Sequence, residues 1–172
     1  VIDGTTAADD VYAILTGYVD LDKDEYDYDY AVTAFYGNDT EEKEFLTDST
    51  TVATTYAGKF TTVDATKIYT LTLDDAGAIT SATTAALSAG PTITINTTKS
   101  TKYADGKLTD SANSVIELAD NVIVYVMNAD EDCWKVGKVT DLNAKRDNAS
   151  TDWEARAFEN AEGDVVVVFL YK

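Results

Sequence analysis

Apolar and polar positions alternate along most of this chain, with a period of two rather than a helical stripe. The clearest run sets Tyr26, Tyr28, Tyr30, Val32, Ala34 and Tyr36 on one parity, with Asp27, Asp29 and Thr33 between them. A strand sends successive side chains to opposite faces, so this run predicts a strand over 26–36 with its tyrosines on one side. Strands are also predicted over 11–19, 43–47, 67–73, 78–83, 92–97, 101–103, 107–109, 115–118, 122–127 and 153–158. Polar, glycine-bearing turns separate several of them: Gly37-Asn38-Asp39, Asp74-Asp75-Ala76-Gly77, Asp105-Gly106 and Glu162-Gly163-Asp164. Trp134 to Gly137 reads as a further short strand. Only 139–145 reads as a helix, and it is two turns long.

These elements predict an all-β protein with one short helix. Two hairpins with a glycine turn, one after Tyr69 and one after Trp153, close the two halves of the chain. The tetrapeptide Leu46-Thr47-Asp48-Ser49 recurs as Leu108-Thr109-Asp110-Ser111. The expectation is two small antiparallel subdomains, barrel-like or sandwich-like, over 1–88 and 89–172. They meet near residues 87–91, where Gly90-Pro91 holds the only proline. One larger sandwich is the competing arrangement, since a chain of 172 residues fits one β domain.

The last strand, Val165 to Tyr171, departs from alternation because it is apolar on both faces. Such a strand is either central in its own domain or added to a neighbouring subunit. On the second reading Val165, Val167, Phe169 and Tyr171 are assembly residues, and Val1 and Ile2 could reach a neighbour from the other end. The chain begins at Val1 rather than Met, which is expected of a processed export protein or a fragment.

Composition narrows the chemistry. Thirty-one acids against thirteen bases give a net charge of −18, which disfavours nucleic acid as a partner. No apolar run is long enough for a membrane-spanning helix. Histidine is absent and Cys133 is the single cysteine, so His-based triads, histidine zinc sites and CxxC pairs are excluded. Cys133 reads as a small buried hydrophobe. The abundance of acids supplies carboxylate pairs everywhere, so none signals glycoside hydrolysis. The chain is not expected to be an enzyme.

Two surface features remain as candidates. Asp20, Asp22 and Asp24 open like a calcium loop, but Glu25 stands where the glycine of an EF-hand belongs and Ala31 where its bidentate glutamate belongs. Calcium is therefore a candidate cation, at that turn or as a general screen of the charge, and no other cofactor is expected. Tyr26, Tyr28 and Tyr30 are a candidate face for sugar rings, although alternating aromatics more often line a core or a subunit contact. Asn38-Asp39-Thr40, Asn96-Thr97-Thr98 and Asn148-Ala149-Ser150 match the glycosylation sequon.

Several segments resemble a known family. Gly17-Tyr18-Val19, an acidic turn and Tyr28-Asp29-Tyr30-Ala31-Val32 resemble a segment of large Firmicutes cell-surface proteins, the S-layer proteins and their relatives. The run from Ile68 to Thr80 is similar to their Y-x-L-D-x-x-G-x-I hairpin. Glu117 to Val126 and then Trp134 to Leu142 resemble the strand and the V-G-x-(L/V)-x-D-L stretch that follow it, and the closing Glu-Gly-Asp-Val hairpin is similar too. The resemblance implies an exported β-rich module that builds a surface layer, with no catalytic residues. The family's S-layer-homology anchor sequence is absent from this chain. The expected function is a structural subunit of a secreted bacterial surface assembly, lattice or filament, acting by self-association. Its partners are copies of itself, with cell-wall or surface glycans as candidates, and its location is the extracellular cell surface. A surface adhesin or carbohydrate-binding module is the alternative.

Overall fold

A computed structural model of the chain describes residues 11–95, 102–109, 115–127, 132–142 and 153–172. It is all-β, as the alternation predicts. The first five strands are β1 (Tyr12–Asp20), β2 (Tyr30–Tyr36), β3 (Lys43–Thr47), β4 (Tyr69–Leu73) and β5 (Ile79–Thr84). They close a barrel in the order β1-β2-β3-β5-β4, with β4 returning to β1. Every neighbouring pair is antiparallel except β3 with β5. A helical turn, Thr51–Tyr56, lies between β3 and β4. The five strands thus form a closed Greek-key barrel with a helical piece after the third strand.

Closure rests on one buried threonine. Thr47 lies opposite Ile79, is fully buried, and donates its hydroxyl to the Ile79 carbonyl at 2.7 Å. Inward residues from all five strands fill the barrel: Leu15, Val32, Ala34, Phe45, Tyr69 and Ile79. The helical turn was not predicted, because Thr51-Val52-Ala53-Thr54-Thr55 favours strand by local propensity. Tertiary burial overrides that preference, since Val52 and Ala53 plug the barrel's end.

The second sheet is built from β6 (Ser88–Ile95), β7 (Lys102–Ala104), β8 (Lys107–Thr109), β9 (Val115–Met127), β10 (Lys135–Val136), β11 (Trp153–Glu159) and β12 (Val165–Tyr171). Its order is β6-β11-β12-β9-β8-β7, and β10 pairs with β9. β12 runs parallel to β9 and antiparallel to β11. β6 and β7 are consecutive in the chain and stand at the two edges of the sheet. With those two sharing the place of a first strand, the order repeats that of the first barrel: β8 second, β9 third, β11 fourth and β12 fifth. In each half the third and fifth strands are the parallel pair.

The closing hairpins repeat in atomic detail. In the first, the Asp74 carboxylate accepts from the amides of Ala76 and Ala78, each at 2.9 Å. In the second, the Asn160 side-chain oxygen accepts from Glu162 and Asp164, each at 3.0 Å. Gly77 (φ 85°) and Gly163 (φ 86°) occupy the same left-handed position. A register shift follows in both, just before Leu73 meets Ile79 and before Glu159 meets Val165. The repeated tetrapeptide does not follow this equivalence. Leu46 is in a third strand and Leu108 in a second, while 110–111 lie outside the described residues.

Other sequence expectations shift. The strand predicted over 26–36 begins only at Tyr30, and 21–29 form a turn-rich loop. The strands predicted over 115–118 and 122–127 are one, β9, with a register irregularity between Leu118 and Ile123. Within the helix predicted over 139–145, Asp141 and Leu142 are helical, and 143–145 lie outside the described residues.

Candidate functional site

The most heavily built feature is the seam between the barrel and the second sheet. The outer faces of β1 and β2 supply Tyr12, Ile14 and Phe35, joined by Ile68 and Ala85. The second sheet answers with Ile123, Tyr125 and Met127 from β9, Trp134 and Val136 around β10, and Val166, Val167 and Phe169 from β12. Trp134 is at its centre and fully buried. Its ring meets Phe169 edge-on at 4.7 Å between centroids, with Tyr171 at 6.0 Å and Phe60 at 6.4 Å. Its indole N–H donates to the Thr62 carbonyl at 3.3 Å, so a side chain of one half satisfies backbone of the other. At the rim, Lys59 and Asp132 form an ion pair at 2.9 Å.

This seam explains the run from Val165 to Tyr171. Val165, Val168 and Leu170 pack with the interior of the second sheet, whereas Val166, Val167 and Phe169 pack in the seam. The strand is apolar on both faces because both faces are covered, and its two edges are hydrogen-bonded to β9 and β11. The terminal-strand expectation is therefore corrected: Val165, Val167, Phe169 and Tyr171 form a central strand of their own sheet and offer no free edge to a neighbour. Val1 and Ile2 lie outside the described residues.

The acidic turn and the tyrosines are placed apart. Asp22 nucleates the loop: its carboxylate accepts from the Asp24 amide at 3.0 Å, and its carbonyl accepts from Glu25 and Tyr26. Asp29 is tied to Lys23 at 3.0 Å, and its amide donates to Asp48. Asp20 ends β1 opposite Tyr30. No group of three or more potential ligands able to hold a metal occurs among the described residues, and Asp20, Asp22 and Asp24 do not gather into one. Tyr26 is exposed and Tyr28 half-buried in the loop, while Tyr30 starts β2 and meets Tyr18 edge-on at 6.0 Å. Tyr26, Tyr28 and Tyr30 thus do not share one strand face, because loop hydrogen bonds displace the first two from the sheet.

Burial sets the perturbed acidities. It raises the Tyr125 phenol well above its ordinary range, and no hydrogen-bond partner among the described residues reaches that hydroxyl. It also raises Tyr69, and Tyr171, where the Glu154 carboxylate at 2.7 Å adds to the effect. Cys133 is buried, and burial pushes its thiol up, against smaller opposing effects of the Phe60 backbone and Lys59. Asp132 is held below the usual carboxylate range by its hydrogen bond to Lys59, whose own ammonium is raised by the same bond. Of the sequons, Asn38-Asp39-Thr40 lies in an exposed turn, and those at 96–98 and 148–150 include residues outside the described set.

The seam was missed by sequence reasoning, which read Trp134 as a short strand. The signal that could have located it is the two-faced apolar run together with a tryptophan between polar neighbours. No helix among the described residues is long and apolar enough to cross a membrane. Compared with protein-family models, curated proteins and solved structures, the chain matches none of them.

Proposed function

We propose that the chain is a structural module of a secreted bacterial surface assembly, an S-layer-like lattice or extracellular filament, working by contact rather than by catalysis. The observation that supports this most is the seam. Two β units joined end to end by a flexible linker would hinge, as small polar interdomain interfaces do. Here aromatic packing and the Trp134–Thr62 hydrogen bond join them into one stiff unit, which suits a part that must transmit position to its neighbours. The S-layer resemblance and the acidic, cysteine-poor composition support export to the cell surface.

With β12 locked inside its sheet, contacts between copies fall to surfaces other than that strand. A charge of −18 per chain opposes close packing of copies, so divalent cations such as calcium would act as a screen. Electron microscopy of the purified chain, with calcium and with a chelator, tests the reading. Ordered sheets or filaments in calcium that disperse on chelation are the expected result. Dispersed particles under both conditions would contradict self-assembly by this chain.

A further inference from the structure

We propose that a cavity between the second sheet and the β2–β3 turn is a binding site for one neutral sugar unit, independently of the assembly reading and on residues other than the tyrosine run. A cavity of about 310 Å³ opens there. This is at the lower end of the ~300–1,000 Å³ typical of small-ligand sites. Its floor is apolar, made by Leu118, Val122 and Val124, all buried. Half-buried Tyr103 lines one side. The rim is polar: Asp120 from the irregular part of β9, Lys138 after β10, and Asn38 from the β2–β3 turn of the barrel. The site therefore needs both halves of the chain, and the seam fixes the approach of Asn38 to it.

The chemistry of the lining selects the ligand. A pyranose has an apolar C–H face and a ring of hydroxyls, matching an apolar floor under separate polar groups. The rim carries one acid and one base, a balanced charge on a chain of −18, so it favours an uncharged guest over an anion or a cation. A zwitterionic amino acid would also meet both charges. However, Asp120, Lys138 and Asn38 are exposed, and exposed ion pairs contribute little affinity. The C–H face that a sugar lays on Leu118, Val122 and Val124, and that a small amino acid lacks, then decides in favour of the sugar.

The test is methyl-detected NMR of the full chain, following Leu118, Val122 and Val124 while glucose, N-acetylglucosamine or glycine is added. The expected result is saturable shifts of these methyls with one of the sugars, at a Kd of about 1 mM, and none with glycine. The double variant Asn38→Ala and Asp120→Ala replaces two exposed side chains, so its spectrum should stay folded while sugar affinity falls at least about tenfold. No floor-methyl response to either sugar would overturn the proposal. So would a response to glycine instead, or unchanged affinity in the folded double variant.

Discussion

Single residues carry more of this fold than their exposure suggests. The Tyr125 hydroxyl is fully buried without a partner among the described residues, and such a group costs about 1–3 kcal/mol of desolvation. Tyr125→Phe keeps the ring against Phe169 and removes that cost, so urea unfolding should show a gain of about 1 kcal/mol. A loss of stability would show that the hydroxyl is bonded in solution. The same residue governs the alkaline limit. Tyr69, Tyr125 and Tyr171 are all raised in the folded chain, so the unfolded chain gives up those protons first. Stability is fully present below the ordinary tyrosine value of about 10 and is lost as pH rises above it, by up to ~1.4 kcal/mol per pH unit per group. Urea midpoints measured across that range should fall, and more shallowly in Tyr125→Phe. Cys133 should resist a thiol reagent in the native state and react on unfolding.

At the scale of elements, the repeated turns make a paired prediction. Gly77 and Gly163 have the same positive φ, and a Cβ at either would meet nothing within 4 Å. Replacing each by Ala should then cost only the left-handed backbone, about 1–2 kcal/mol, and the two costs should agree. Unequal unfolding losses would argue against equivalent hairpins. Thr47→Val tests barrel closure: it leaves the Ile79 carbonyl without its 2.7 Å donor and should cost about 1–3 kcal/mol. Alternation was legible in the sequence wherever one face was buried and the other wet, which is why β4, β5 and β11 fall close to where they were expected. Legibility failed where tertiary contacts override local preference. The turn at Thr51–Tyr56 is helical because Val52 and Ala53 plug the barrel, and Tyr26 and Tyr28 leave the strand because Asp22 and Asp29 bind the loop. The paired hairpins were visible as a faint repeat, but the strand order that makes them equivalent depends on parallel contacts between residues far apart, Thr47 with Ile79 and Leu118 with Val165.

For the whole molecule, the decisive feature is that two strand arrangements of the same order share one aromatic core. The run at Val165–Tyr171 showed from sequence that something must cover both of its faces. It could not show that the cover was the other half of the same chain. Trp134 is the centre of that cover, so Trp134→Ala should cost about 3–5 kcal/mol and loosen the two halves from each other. Amide hydrogen exchange of the full chain across a urea series tests the claim of one joined body most directly. The account predicts that buried amides of β1–β5 and of β9, β11 and β12 open together, in one transition that coincides with the change in tryptophan fluorescence. Opening of β1–β5 at lower urea, with tryptophan fluorescence still native, would contradict it.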